Sequence, residues 1–201
     1  TLADTNALTA ALTASGDSTL TADGNLAGSG STQGLSTTTT NGGTTSFGAT
    51  TIGGALLATS DGAINQTGAM TVTGATTLAA GANDITLDDG ANDFQSTVSA
   101  TGSDVALEDG TGGLTLGNVT AAGTLAATST AGAITQAADT TIAVAGATTL
   151  EASDGADPAT DHDITLDGAD NDFVGTVTAT AKDMTLADTN ALTAALTASG
   201  D

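Results

Sequence analysis

An all-β chain wound as a parallel β-solenoid, with about 20 residues per coil and short strands, is the fold this sequence predicts. Three observations predict it: an interval of 20 between apolar residues, short alternating stretches fenced by turn residues, and repeats nested within repeats.

The interval recurs from Leu78 to Val98, Ile85 to Val105, Leu87 to Leu107 and Phe94 to Leu114. It continues from Leu114 to Ile134, and again from Ile164 to Met184 and Leu166 to Leu186. Between these anchors lie DITL, STVSA, DVALE, LTL and TIAVA, bounded by Gly, Asn and Asp. Alternation over three to five residues between such turn formers reads as very short strands, about three to each interval. One coil of that length cannot bury its own apolar side chains. Coils stacked about 4.8 Å apart share one continuous core, and roughly ten of them make a rod about 45–50 Å long. Inward Ala, Thr and Gly fit a narrow interior.

Longer repeats lie above this beat. TLADTNALTAALTASGD stands at residues 1–17 and again at 185–201, an offset of 184. We read this as the unit of a longer tandem array in which residues 1–201 form one continuous solenoid segment. Two sub-repeats are visible within it, about 54–123 and 123–201, with a diverged stretch at 18–53. The offset between them grows from 69 at Gly54/Gly123 to 79 at Phe94/Phe173, so insertions fall between strands, chiefly in SDGADPATD at 153–161. ALTAALTA alone has the spacing of an amphipathic helix. Its sub-repeat counterpart, GGLTLGNVTAAG (112–123), has paired glycines and a β-branched Val, and so predicts turn and strand in both places.

Composition excludes several classes of function. Formal net charge is −22, with one Lys or Arg, one His and no Cys, Trp or Tyr. No basic patch is present to neutralise phosphate, which argues against nucleic acid and anionic lipid as partners. No disulfide framework can form, and a single His makes a zinc site a poor expectation. No apolar run approaches the roughly 18 residues needed to span a bilayer as a helix.

The acidic turns are the candidate site. A 20-residue coil stacks Asp84 under Asp104, Asp88 under Glu108, Asp89 under Asp109, and Asp163 under Asp183. Such columns read either as solvated turns kept soluble by their charge, or as carboxylate ladders bridged by Ca²⁺, which prefers oxygen ligands. DDGANDF (88–94) and DGADNDF (167–173) match the calcium-binding nonapeptide of RTX repeats poorly, since they stand alone and lack its paired glycines. No cofactor is required by any motif. The Thr clusters TVT (71–73), TVS (97–99) and TVTAT (176–180) do not form a ladder such as ice-binding solenoids need, because Thr71 and Thr97 are 26 apart. Asn65 and Asn118 open glycosylation sequons of a kind common in Thr-rich chains. His162, read as an exposed loop residue, has no nucleophile placed beside it, and Lys182 is the only Lys. The expectation is therefore not an enzyme.

GAINQ (62–66) and GAITQ (132–136) each lead through a short strand to GATTL, then NDITL or HDITL, NDF, and STV or GTV. ALEDGTGGLTLG or TLADTNALTA follows. This order resembles the rod repeats of filamentous haemagglutinin-like proteins, large bacterial exoproteins of the two-partner-secretion type. The resemblance implies a right-handed parallel β-helix at the bacterial surface or outside the cell, serving adhesion or fibre building. It implies no catalytic residues. The partners it implies are the chain itself, continued end to end or bundled laterally, and a host, cell-surface or matrix ligand. The other reading of the same features is a calcium-dependent adhesin extender made of RTX-like or β-sandwich repeats.

Overall fold

The computed structural model describes residues 1–153, 155 and 160–200 of the chain. The described residues form a parallel β-solenoid of ten coils and contain no α-helix. Each coil crosses two sheets. Sheet A takes β1 (Leu2–Asp4), β3 (Ser18–Ala22), β5 (Leu35–Thr39), β7 (Leu56–Thr59) and β10 (Thr76–Ala79). It continues through β13 (Val98–Gly102), β15 (Leu114–Ala121), β17 (Ile134–Gln136) with β18 (Ile142–Val144), β20 (Ile164–Leu166) with β21 (Asp172–Phe173), and β23 (Met184–Leu186). Sheet B takes β2 (Leu8–Thr13), β4 (Leu26–Thr32), β6 (Thr45–Ile52), β8 (Ile64–Gln66) with β9 (Met70–Val72), and β11 (Ile85–Leu87) with β12 (Asp93–Phe94). It ends with β14 (Val105–Asp109), β16 (Leu125–Ser129), β19 (Thr148–Glu151), β22 (Val177–Ala181) and β24 (Ala194–Ala198).

The expected beat holds on most anchors. Ile85 pairs with Val105, Leu87 with Leu107, Leu114 with Ile134, Ile164 with Met184 and Leu166 with Leu186. Two anchors are corrected. Val98 stands over Thr76, with Leu78 under Ala100. Phe94 lies on sheet B while Leu114 lies on sheet A, so they are not stacked. The step between partners is not uniform, running from 17 at Ser18/Leu35 to 30 at Ile134/Ile164. The long step carries the 153–161 insertion, which lies partly outside the described residues. The two sheets also replace the expected three strands per interval: some coils only break one strand in two, as β6 faces both β8 and β9.

Side chains alternate in and out along each strand, and inward ones stack in columns. One runs Leu8, Leu26, Thr45, Ile64, Ile85, Val105, Leu125, Thr148 and Val177 through nine coils of sheet B. Another runs Leu20, Thr37, Ala58, Leu78, Ala100, Val119 and Ile142 on sheet A. On sheet A small residues stand between large ones, Thr37 and Ala58 between Leu20 and Leu78, while sheet B stacks Ile64, Ile85, Val105 and Leu125 directly; aliphatic side chains thus fill the interior of a chain with three Phe and no Tyr or Trp. Both copies of ALTAALTA contain strand, β2 and β24, and neither is helical. At Gly30 the ladder shifts register, φ is +102°, and an added Cβ would overlap the Leu12 carbonyl of the coil beneath. Only glycine fits that bulge. The continuous parallel sheets also overturn the alternative of separate β-sandwich repeats, whose sheets are antiparallel.

Equivalent elements of the two sub-repeats lie on opposite sheets. Ile64-Asn65-Gln66 is on sheet B and Ile134-Thr135-Gln136 on sheet A. The same inversion holds for β9 and β18, β11 and β20, and β12 and β21.

The hydroxyls of Thr37, Thr76 and Thr148 are buried with no hydrogen-bond partner. A buried unpaired hydroxyl costs about 1–3 kcal/mol relative to an apolar group of the same shape. Thr76→Val and Thr148→Val are therefore expected to stabilise the chain by about 1 kcal/mol each, measured by urea denaturation. A loss of stability would show that these hydroxyls are satisfied in solution.

Candidate functional site

Two buried side-chain amides explain the recurring GAINQ/GAITQ and NDF words. Asn92 is fully buried. Its Oδ1 accepts from Gln66 Nε2 at 2.9 Å and from the Met70 amide at 2.9 Å, while its Nδ2 donates to Gln66 Oε1 at 2.9 Å and to the Leu87 carbonyl at 3.3 Å. Asn171 repeats the arrangement, accepting from Gln136 Nε2 and the Ile142 amide and donating to Gln136 Oε1 and the Leu166 carbonyl. Each Gln–Asn pair clips one coil to the next where a strand is broken in two. Partners 26 and 35 residues apart conceal the pairing from a fixed period, although both words recur together in the sequence.

The residue after NDF's Asp carries a second clip. The Phe94 amide donates to Asp109 Oδ2 at 2.9 Å and the Thr111 amide to Asp109 Oδ1 at 2.8 Å. In the second sub-repeat the Phe173 amide donates to Asp188 Oδ1 at 2.9 Å. Burial pushes the Asp109 carboxyl up to about 6, against the opposing pull of the Thr111 and Phe94 amides; the neighbouring Asp93 charge adds to the rise.

The predicted acidic columns are partly assembled. Asp84 does stand under Asp104, and its Oδ1 accepts the Asp104 amide at 3.1 Å. Asp104 Oδ1 in turn accepts the Thr124 amide at 2.7 Å and the Thr124 hydroxyl at 2.9 Å. Asn25 does the same for Thr44. These acidic turns thus alternate carboxylate with N–H up the rod. The Thr124 amide and hydroxyl hold the exposed Asp104 carboxyl below its ordinary value. Asp88 and Asp89 lie near Glu108, whose carboxyl is raised by burial, by those two charges and by Glu151. Asp109, expected over Asp89, instead faces the Phe94 amide and Asp93. Asp163 and Asp183 are exposed, and the Asp183 carbonyl accepts the Ile164 amide. Among the described residues no group of three or more acidic or His side chains is placed to hold a metal ion. His162 is half-buried rather than exposed: its amide donates to Ala152, and its carbonyl accepts the Lys182 amide.

The two outer faces differ in charge. Sheet A presents Thr21, Thr38, Thr59, Ala79, Thr101 and Thr120 in one column. Beside it stand Thr19, Ser36, Leu57, Thr77 and Ser99. No strand of sheet A from β3 to β18 contains a charged residue. A hydroxyl face therefore does exist, but of the clusters marked in the sequence only TVS reaches it, through Ser99; Thr71 is on sheet B, under Asp93. On sheet B the column is Glu108, Thr128, Glu151 and Thr180.

Comparison with known families matches one family twice, at residues 34–101 and 102–180, together most of the chain; that family is described as Repeats of unknown function (DUF5649). The chain belongs to it. No curated protein and no solved structure matches the chain. The two DUF5649 repeats correspond strand for strand. The first begins at β5 on sheet A and ends in β13 on sheet A; the second begins with β14 on sheet B and ends in β22 on sheet B. Each DUF5649 repeat thus crosses the sheets seven times and makes three and a half coils. An odd number of half-coils turns each repeat over relative to the last, which is why equivalent words fall on opposite faces.

Asn92→Ala and Asn171→Ala leave buried amides and carbonyls of two coils unpaired, and each is expected to cost about 2–4 kcal/mol by urea denaturation. Gln66→Ala, whose side chain is half-exposed, is expected to cost less. Equal losses at Asn92 and Gln66 would contradict the buried clip.

Asp109 also predicts a pH dependence. Folded, it keeps its proton up to about pH 6; unfolded, it releases it near 3.8. Between those values the folded chain binds more protons, so stability falls as pH rises through the window, by on the order of 2 kcal/mol, and levels off above it. Thermal melts of the wild type across that window should show this slope, and Asp109→Asn should flatten it.

Proposed function

We propose that this chain is a segment of an extracellular bacterial fibre or surface adhesin, supplying length, stiffness and an acidic surface rather than catalysis. The observation that carries the reading is the phase of the 184-residue unit. Its two copies of TLADTNALTAALTASGD fall on coils 1 and 10 and on the same two sheets in the same order. Nine whole coils separate them: two DUF5649 repeats of three and a half coils, plus two coils from the first 33 residues. A unit with a whole number of coils extends by simple addition, without a hinge or a change of face.

The acidic charge suits such a rod outside the cell, where it keeps a repetitive surface soluble. The uncharged hydroxyl face of sheet A is the surface this reading assigns to lateral packing or to a host or matrix ligand. The resemblance to filamentous haemagglutinin-like rods supports the same assignment.

Electron microscopy of chains carrying one, two and three 184-residue units tests the rod. Smooth particles that lengthen by about 43 Å per added unit are expected, from nine coils at about 4.8 Å each. Beads on a thread, or particles that grow in width, would contradict it. Display of the same series on a bacterial surface tests attachment: adhesion to host cells or matrix should rise with unit number, and indifference to it would remove the adhesive role.

A further inference from the structure

The side of the rod formed by sheet A differs from the rest of its surface. From β3 to β18, coils 2 to 8, its strands carry no charge, on a chain of formal net charge −22. Thr115, Thr135, Thr165 and Thr185 extend its outward hydroxyls into later coils, with the Thr115 and Thr135 hydroxyls 3.1 Å apart. Away from the first and last coils, the large hydrophobic residues left exposed among the described residues are Leu57, at 46%, and Val174, at 70%. Leu57 lies on β7 and Val174 directly follows β21, both strands of sheet A. Sheet B instead carries Asp93, Glu108 and Glu151 in outward positions.

We propose that sheet A packs against sheet A of a second copy of the chain, with the two rods antiparallel. This rests on the reading of sheet A as a contact surface and names what it contacts. Its outward side chains recur at the coil spacing of about 4.8 Å, and a second rod presents the same repeat, so side chains interdigitate coil after coil. A hydroxyl both donates and accepts, so a hydroxyl face meets its own copy without stranding a donor. Over coils 2 to 8 the approach opposes no two carboxylates on the strands, whereas pairing through sheet B would set Glu108 and Glu151 among like charges.

Asp172 of coil 9, the register partner of Ala143, sets the direction. Parallel rods matched coil for coil would oppose it with the same Asp172. A two-fold axis along β10 of coil 5 instead sets Thr59 of coil 4 against Thr101 of coil 6, and Thr38 of coil 3 against Thr120 of coil 7. Asp172 then meets Ala3 of coil 1, which shares the Thr21 column. Seven coils with strands of about five residues present a face of about 34 by 16 Å, roughly 550 Å² per copy and below the 800 Å² or so of a standard interface. One unit therefore pairs weakly, and tandem units, in which the match recurs every nine coils, pair far more firmly.

Cysteine cross-linking reads the contact, because the chain has no Cys of its own. Facing sheets stand about 10 Å apart, beyond disulfide reach, so the probe is a short bismaleimide. Full-length Thr38→Cys and Thr120→Cys chains, when mixed, are expected to cross-link several-fold more than either chain alone. Adding Thr59→Asp and Thr101→Asp to both chains opposes carboxylates across the contact and should cut that yield several-fold. The uncharged changes Thr59→Asn and Thr101→Asn should keep most of it, which separates repulsion from damage to the strands. Thr178→Asp, on the outer face of sheet B, should leave it unchanged. The proposal is overturned if the mixed chains link no better than each alone, or if Thr38→Cys links best to its own copy, the mark of parallel rods. It is also overturned if the Asp changes on sheet A leave the yield unmoved. Adhesion lost on those Asp changes, in a chain that never cross-links, would give the face to a host or matrix ligand and leave the adhesive role standing. Cross-linking as expected without adhesion would uphold the pairing and remove that role.

Discussion

Everything in this molecule follows from one constraint: the strands of a coil have no backbone partner except strands of the coil above and the coil below. Strands within a coil run on to the next sheet without pairing to each other. Their amides and carbonyls are satisfied only along the rod, as Leu26 to Thr44, Thr45 to Ala63 and Ile64 to Asp84 show in succession. That ladder sets the spacing between coils at about 4.8 Å. It also demands that every corner close in the same way, whatever its length. Corners of unequal length are accommodated outward, so the step between partners varies while the sheets stay in register.

Side-chain chemistry answers the same demand where the ladder breaks. A coil that interrupts one strand leaves amides and carbonyls facing a gap. The Gln66–Asn92 and Gln136–Asn171 pairs fill two such gaps, and Asp109 and Asp188 cap the strands that follow. Asp84, Asp104 and Asn25 do equivalent work at exposed turns, accepting an amide from the next coil. Much of the acidity therefore has a structural role as well as a solubilising one. A carboxylate that receives an N–H from its neighbour is far less troubled by the carboxylate beyond it.

The fold was largely readable from apolar spacing, because inward residues such as Ile85, Val105 and Leu107 sit on unbroken strands, where the interval is constant. The errors arose where it is not. Phe94 and Leu114 are 20 apart, yet the chain has crossed to the other sheet between them. Leu78 and Val98 miss by two because that coil is longer. The site was less readable. Asp84 under Asp104 followed from the period, but the interleaved amides did not, since backbone donors leave no mark in a sequence. The inversion of successive repeats did leave one: an offset near 70 against a beat of 20 is three and a half coils. The hydroxyl column on sheet A was hidden by steps of 17 to 22, which scatter its members across a fixed period.

The coil-on-coil ladder is tested most directly by X-ray diffraction from oriented fibres of the tandem chain. Strands perpendicular to the rod and stacked along it predict a strong meridional reflection at about 4.8 Å, with a longer axial repeat of about 43 Å from nine coils. A reflection at about 4.8 Å on the equator would place the strands along the fibre, and would contradict the solenoid and everything built on it.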